Sequence, residues 1–188
     1  MNALRLVRPA AEHLPGYIAA LEAGWSASNI NSVASAAEEM EKIKADPALF
    51  LAQLDDPAGL GGPITLGDGR VVPRLPGFRR WMWDGELCGS IGFRHQPGTS
   101  ELPDYVLGHI GYGVVPWKRG KSVATRALGL LLAEIAPLRM AYVDLTTDPE
   151  NLVSQKVIKA HGGVLIDKFE AVGYGKTELR WRITLGGA

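Results

Sequence analysis

A basic turn between two apolar segments is the part of the sequence best suited to chemistry. An apolar stretch ends at Pro116, the run Lys-Arg-Gly-Lys follows at 118–121, and apolar residues at helical spacing begin immediately afterwards. Backbone N–H groups at a helix start have no intrahelical partner and lie at the positive end of the helix dipole. Because Gly120 allows close approach and the lysines and arginine add positive charge, the turn predicts a cradle for phosphate or pyrophosphate. An ordinary solvated turn capped by Ser122 is the alternative that these residues leave open.

The same residues also match the end of a nucleotide-binding P-loop, Gly-Lys-Ser at 120–122. That motif requires another glycine five residues before its final one, and Val115 occupies this place. The bulky residues at 116–119 are also unsuited to a loop that wraps phosphates in backbone amides. A P-loop nucleotide-binding protein is therefore kept only as a distant alternative.

The segments around this turn alternate between strand and helix patterns. Alternating or short apolar runs predict strands at 4–8, 64–66, 70–72, 78–83, 87–95, 105–115, 140–145, 164–172 and 177–185. Helical spacing, caps and breakers predict helices at about 10–24, from 35 to about 45, from 46 onward, and at 121–136 and 148–160. The order in the C-terminal half predicts an α/β fold (α+β mixed sheet) with helices on both faces. Residues 1–188 are expected to form a single domain.

The composition excludes several classes of function. Lys plus Arg number 20, as do Asp plus Glu, so no net field recruits nucleic acid or an anionic membrane. No apolar run has membrane-spanning length, and the N-terminus lacks a signal-peptide pattern, so a cytoplasmic protein is expected. Cys88 is the single cysteine, and no Cys and His residues stand at zinc spacing, so neither an internal disulfide nor a metal site is expected.

The basic turn belongs to a longer pattern. It reads Val-Val-Pro-Trp-Lys-Arg-Gly-Lys-Ser-Val-Ala at 114–124, and after the next strand Asn151 opens a helix that Gly162 ends. This arrangement resembles the GNAT acetyltransferases, whose acetyl-CoA segment runs Val-x-Pro-x-x-Arg-Gly-x-Gly-x-Ala. The similarity in order and spacing extends from about residue 78 to 185. The run Gly-His-Ile-Gly-Tyr at 108–112, preceded by Arg-His at 94–95, resembles a subgroup of predicted acetyltransferases without an assigned substrate.

The resemblance implies a GNAT-like fold in which a mixed sheet splays apart after the strand at 111–115, whose neighbour would be the strand at 140–145. Pro116 gives the splay an independent physical reason, because proline has no N–H to pair. Acetyl-CoA would be the cosubstrate, with its pantetheine arm in the splay and its pyrophosphate on backbone amides of the turn. The residues implied in cofactor binding are Val114, Val115, Arg119, Gly120, Lys121, Ser122, Val123, Ala124, Thr125, Asn151 and Ser154.

Two positions depart from the family pattern. Ser122 stands where the family usually has glycine, which retains the amide and adds a hydroxyl that can donate to phosphate. Ile158 stands where many members have a tyrosine that protonates the departing thiolate. The resemblance therefore implies an N-acetyltransferase that moves acetyl to a primary amine of a small molecule or peptide by direct attack in a ternary complex. Ile158 motivates the alternative, a non-catalytic acyl-CoA-binding module of the same fold.

Two side chains near the turn are candidates for catalysis. His109 has an intrinsic pKa suited to a general base, and its alternative is a structural histidine bonded inside the sheet. Tyr112 is expected to hold the acceptor, to relay a proton, or only to pack. The regions 29–63 and 96–104 are expected to shape the acceptor pocket. The strand at 177–185 is expected to lie at a sheet edge, where it can support a homodimer.

Overall fold

Two antiparallel sheets, one from each half of the chain, form the framework in the computed structural model, which describes residues 3–28, 32–66, 69–171 and 175–186. The strands are β1 Arg5–Val7, β2 Asp55–Asp56, β3 Ile64–Thr65, β4 Val71–Val72, β5 Gly77–Trp83, β6 Leu87–Arg94, β7 Ile110–Val114, β8 Tyr142–Thr147, β9 Val164–Ala171 and β10 Lys176–Thr184. The helices are α1 Leu14–Glu22, α2 Ser32–Ala45, α3 Pro47–Gln53, α4 Val123–Ile135 and α5 Leu152–Lys159, with short 3-10 turns at Pro116–Lys118 and Ala136–Leu138.

The first sheet has the strand order β1-β5-β6-β7, with β2 also paired to β5, and the second has the order β8-β10-β9. The predicted hairpin at 64–72 is present as β3 and β4. Residues 67 and 68 of its turn lie outside the described part of the chain, as do residues 29–31 of the predicted acceptor region.

Helices cover both faces of the first sheet, as the sequence predicts. One core cluster lies between this sheet, α4, α5 and the second sheet, and includes Leu128 and Trp181. The other lies under α1, α2 and α3, where the ring of Tyr17 stacks on Trp81 with centroids 4.6 Å apart. Such aromatic pairs contribute about 1 kcal/mol beyond the area that they bury. Among the described helices, none is both long enough and apolar enough to cross a membrane.

Two predicted strand positions differ in the structure. β7 begins at Ile110 rather than at residue 105, because the N–H of Val106 bonds to the carbonyl of Pro103 in a turn instead of joining a ladder. The strand at 177–185, expected at an edge, is β10 and pairs with β8 on one side and β9 on the other. The expected edge is therefore wrong, since β9 is the outer strand of that sheet.

His109 joins the two sheets at a single point. Its backbone N–H donates to the carbonyl of Asp144 at 2.7 Å, and its ring Nδ1 accepts the N–H of Asp144 at 2.9 Å. The ring nitrogen thus accepts the N–H of Asp144, which a backbone carbonyl of the neighbouring strand would accept in a regular sheet. Because Nδ1 accepts a hydrogen bond, the neutral ring carries its proton on Nε2. We call this pair of bonds the His109–Asp144 pin.

The pin is buried and reinforced on the side of the second sheet. His109 has no exposed surface, and the carboxylate of Asp144 accepts two hydrogen bonds from Arg182, each at 2.8 Å. The guanidinium of Arg182 in turn lies 3.4 Å from the ring centroid of Tyr142. An unsatisfied buried N–H costs about 1–3 kcal/mol, so the ring nitrogen of His109 has a structural value independent of any chemistry.

Beyond the pin, β7 and β8 separate. They are connected through α4, the kind of crossover that joins neighbouring parallel strands. Among the described residues, no other backbone hydrogen bond joins the two strands. The two strands are therefore unpaired along the length of β7, before Pro116 ends it, and we call the region between them the gap.

The pin predicts how stability depends on pH. Burial lowers the pKa of His109 to about 4, below the value of about 6.5 expected in the unfolded chain. Between these pH values the unfolded chain takes up a proton that the folded chain excludes. The stabilisation that the neutral ring of His109 provides is therefore complete above pH 6.5 and is lost as the pH falls towards 4. His109→Asn keeps an acceptor but does not titrate. We therefore expect a shallower fall in the free energy of unfolding from pH 6.5 to 5, measured by urea denaturation.

His109→Leu provides the comparison, because it removes the acceptor as well as the titration. It is expected to lower the free energy of unfolding by about 1–3 kcal/mol at pH 7.5. If His109→Asn follows the wild-type pH dependence, the buried ring is not the group responsible.

Candidate functional site

The turn after β7 is shaped by two residues with left-handed backbone. Following the 3-10 turn at Pro116–Lys118, Gly120 has φ +72° and Ser122 has φ +54°. Glycine adopts this region without penalty, whereas a residue with a side chain is strained there. Ser122 is the N-terminal cap residue of α4, and its side chain makes no capping hydrogen bond. The family's glycine at this position thus has a conformational reason, and the serine hydroxyl is available to a ligand.

A row of backbone donors follows this turn. The first bond of α4 runs from the N–H of Arg126 to the carbonyl of Ser122 at 3.1 Å. The N–H groups from Gly120 to Thr125 make no hydrogen bond to any described residue. They lie at the N-terminal end of a helix of 13 residues, where the dipole favours an anion. The structure therefore presents the unpaired donors that the predicted cradle requires, and pyrophosphate as their ligand stays a prediction.

The basic side chains of the turn do not all face the cradle. The Nζ of Lys118 lies 2.9 and 3.0 Å from the two carboxylate oxygens of Asp84 and 3.2 Å from Glu86. Lys118 therefore fastens the turn to the β5–β6 hairpin, and its predicted contribution of free positive charge is wrong. Arg119 and Lys121 are exposed and remain available to an anion.

The two valines before the turn have different roles. The N–H of Val115 donates to the carbonyl of Cys88 at 3.0 Å, and the carbonyl of Val115 accepts the N–H of Lys118 at 3.0 Å. Because backbone groups alternate in direction along a strand, those of Val114 point the other way, into the gap. The carbonyl of Val114 accepts Nε of Arg119 at 3.2 Å. For the expected pantetheine contacts, the structure therefore leaves the N–H of Val114, whereas both backbone groups of Val115 are already bonded.

Thr146, on the β8 side of the gap, is a candidate site residue that the sequence alone did not identify. The N–H of Leu185 donates to the carbonyl of Ala141, which sets the register of β8 against β10. By alternation, Asp144 and Thr146 direct their backbone groups toward β7. Since Asp144 is used by the pin, Thr146 is the first β8 residue with backbone groups facing the open gap. Only the pairing register, which local sequence does not specify, identifies it.

The first turn of α4 is held to α5 by a second histidine. Nε2 of His161 lies 2.8 Å from the carbonyl of Thr125. The position of His161 in the sequence did not indicate this contact. Gly129 makes room for this ring, because a Cβ there would lie 3.0 Å from its Cε1. The side chain of Val123 is buried in the core and that of Ala124 packs against it, so these residues would meet a ligand through their amides.

The predicted residues of α5 meet β7 across the gap. The side chain of Asn151 caps α5 by accepting the N–H of Ser154 at 3.1 Å. The hydroxyl of Ser154 lies 2.7 Å from the hydroxyl of Tyr112. Burial raises the pKa of Tyr112 to about 12, so the phenol is protonated at neutral pH. The structure thus brings together a predicted catalytic residue and a predicted cofactor-binding residue as one hydroxyl pair.

Ile158 lies one helical turn beyond Ser154 on the same side of α5. Its side chain is fully buried in the core, and a Cβ on Gly163 would overlap its methyl group Cγ2. The place at which many GNAT members have a tyrosine is therefore filled by packed hydrocarbon. One turn earlier on the same helix, the hydroxyl of Ser154 contacts the phenol of Tyr112, so this region has two neutral proton donors.

His109 has surroundings that match its structural alternative. Its Nδ1 is occupied by the pin, and its buried Nε2 has no hydrogen-bond partner among the described residues. Base catalysis by His109 stays a prediction. The 96–104 loop, expected near the acceptor, lies at the closed end of the gap, where the Ser100 hydroxyl accepts the N–H of Ala141 at 2.8 Å. The described residues contain no group of three His, Cys, Asp or Glu placed to hold a metal ion.

Comparisons with known proteins agree with this geometry. A family model described as an acetyltransferase (GNAT) domain matches residues 3–164. RimJ from Mycobacterium smegmatis, solved with CoA-disulfide, has a TM-score of 0.66 at 17% identity, over 97% of this chain and 82% of that chain. RimL, a ribosomal L7/L12 alpha-N-protein acetyltransferase solved with CoA, has a TM-score of 0.64 at 13% identity, over 100% and 97%.

The microcin C7 self-immunity acetyltransferase MccE, solved with acetyl-CoA and AMP, has a TM-score of 0.60 at 12% identity, over 98% of this chain and 93% of that chain. At such identities the likeness concerns the fold, and it confirms the predicted splayed GNAT-like architecture. A comparison with curated protein sequences finds no match.

The backbone of Ser122 generates a prediction about stability. Ser122→Gly relieves a left-handed residue of about 1–2 kcal/mol of strain, partly offset by the greater freedom of glycine in the unfolded chain. We expect the free energy of unfolding to rise by about 0.5–1 kcal/mol in urea denaturation. Ser35→Gly, within the right-handed helix α2, is the matched control and should lower it by about the same amount. Destabilisation by both substitutions would contradict the assigned backbone.

Proposed function

This chain belongs to the GNAT acetyltransferase family, and from that premise we propose that it transfers an acetyl group from acetyl-CoA to a primary amine of a small molecule or peptide. We further propose that it works in the cytoplasm. The observation that carries the proposal is the row of unpaired amides from Gly120 to Thr125 beside the gap between β7 and β8. RimJ, RimL and MccE, which share the fold, were solved with CoA-disulfide, CoA and acetyl-CoA, respectively.

The cosubstrate is proposed to lie along the α4 and α5 side of the gap. The amides of the turn would bind its pyrophosphate, with Arg119 and Lys121 adding positive charge. The amide groups of its pantetheine arm would bond to the backbone of Val114 and Thr146, the residues that face the gap from its two walls. Ser154 and the cap residue Asn151 would border the arm from α5.

The proposed reaction is a direct attack in a ternary complex. The amine nitrogen attacks the thioester carbonyl, the carbon–sulfur bond breaks, the nitrogen loses a proton, and the thiolate gains one. An amine with a pKa near 10.4 is neutral in only about one molecule in a few thousand at pH 7, so a base or a water relay assists the attack. We propose that the phenol of Tyr112 donates the proton that the thiolate gains, because the hydrocarbon side chain of Ile158 cannot donate one.

One observation favours a second candidate function. Ile158 is buried hydrocarbon that cannot donate a proton, and Nδ1 of His109 is occupied by the pin. A non-catalytic acyl-CoA-binding module would keep the amide row and the gap and need neither group. It predicts CoA binding without turnover on any amine.

The cofactor assignment is tested by ligand-dependent stability. A ligand at a hundred times its dissociation constant adds about 2.7 kcal/mol to the free energy of unfolding. We expect this increase with acetyl-CoA and with CoA, and none with Mg-ATP, in parallel thermal denaturation samples. Stabilisation by Mg-ATP alone would contradict the proposal, whereas stabilisation by CoA without CoA release on an amine panel would identify the binding module.

Tyr112→Phe tests the proton donor. General acid catalysis contributes about 10²–10⁴ in rate, so we expect kcat to fall about a hundredfold while the Kd for CoA changes less than threefold. Because the pKa of Tyr112 is about 12, the wild-type rate should show no decline from loss of this proton below about pH 10. Tyr142→Phe, on the neighbouring strand, is the matched control. A wild-type kcat in Tyr112→Phe would remove the residue from the reaction.

A further inference from the structure

One face of the second sheet carries charged side chains that no described helix covers. On β10, Leu179, Trp181 and Ile183 point into the core shared with α4 and α5. The alternate residues Glu178, Arg180 and Arg182 therefore point to the opposite face. The described members of the core cluster under α1, α2 and α3 include no residue of β8, β9 or β10. We call this surface the open face.

The open face lies at the second mouth of the gap. The amide row and Ser154 lie on the α4 and α5 side, so a cosubstrate bound there leaves the opposite mouth to the acceptor. Arg180 pairs directly with Thr146, whose backbone faces the gap. Side chains of directly opposed residues start about 4.5–5.5 Å apart, so Arg180 stands one strand away from the reacting region.

Most charges on this face are already paired. Arg182 is bound by the carboxylate of Asp144 through two hydrogen bonds. Glu178 is buried, and its carboxylate lies 2.6 Å from Nζ of Lys176. Neither Arg182 nor Glu178 can bind a charged ligand unless one of these short contacts breaks.

Arg180 is different. Its side chain is 36% exposed, and its guanidinium lies 4.6 Å from the ring centroid of Phe169, which holds it in place. Its ion-pair partner among the described residues is the exposed Asp167, at 3.5 Å from Nε, and Nε makes no hydrogen bond. A positioned guanidinium with incomplete hydrogen bonding is suited to bind a planar oxyanion.

We propose that Arg180 binds a carboxylate of the acceptor, which makes the substrate a primary amine that also carries a carboxylate. The inference rests on the proposed acetyl transfer and adds its substrate class. A free amino acid and a peptide with an acidic residue near its N-terminus share this chemistry. The positive charge also raises the local concentration of such acceptors at the mouth opposite the cosubstrate.

The test uses pairs of acceptors that differ only in the carboxylate. One pair is 4-aminobutyrate and its amide, and the other is a pair of short peptides with aspartate or asparagine as the second residue. CoA release gives kcat/KM for each, and the ratio of acid to amide measures recognition. The wild-type protein should prefer the acid at least tenfold in one pair, and that pair identifies the source of the carboxylate.

Variants assign the preference to the side chain. Arg180→Gln should bring the ratio close to one, and Arg180→Lys should give an intermediate ratio, because it keeps the charge and loses the planar fork. Arg5→Gln removes an exposed arginine from the first sheet and should keep the wild-type ratio. A wild-type ratio near one, or an unchanged ratio in Arg180→Gln, would overturn the inference and leave acetyl transfer intact. CoA binding without CoA release from any amine would instead overturn the proposed function, and this inference with it.

Discussion

The two hydrogen bonds between His109 and Asp144 determine where the sheet divides. They hold β7 and β8 together at one end, and among the described residues no further backbone hydrogen bond joins the two strands. Past this point each strand has a free edge, which exposes backbone groups of Val114 and Thr146. The amide row at the start of α4 lies at the open end of the same gap. A gap closed at one end and lined by unpaired donors at the other is what a long, anion-bearing cosubstrate requires.

The separation of β7 from β8 also leaves two faces with different proposed roles. On the α4 and α5 side, Tyr112 and Ser154 form a hydroxyl pair beside the proposed thioester position. On the other side, the open face carries Arg180, whose ion-pair partner Asp167 lies at 3.5 Å, farther away than the partners of Glu178 and Arg182. In the proposed reaction, the cosubstrate and the acceptor therefore approach from opposite sides. His109, the predicted base, holds β7 and β8 together at one end, and its role in catalysis stays a prediction.

The sequence predicted the parts of the site that depend on local chemistry. The turn, its glycine and the start of α4 all follow from residues within a few positions of one another. Contacts between distant residues could not be predicted in this way. Lys118 is bound by Asp84, which lies 34 positions earlier, and Val115 is paired to Cys88 by a register that depends on the whole sheet. The edge position of β9 likewise follows from strand order, which short-range patterns do not specify.

The proposed cosubstrate site is defined by the backbone groups that acetyl-CoA would contact. The decisive measurement is a titration of the isotope-labelled protein with acetyl-CoA, followed through its backbone amide NMR signals. We expect the largest shifts at Gly120 to Thr125 and at Val114, with Val115 much less affected because its N–H is already bonded to Cys88. Shifts confined to other parts of the chain, with the amides of Gly120 to Thr125 unchanged, would contradict it.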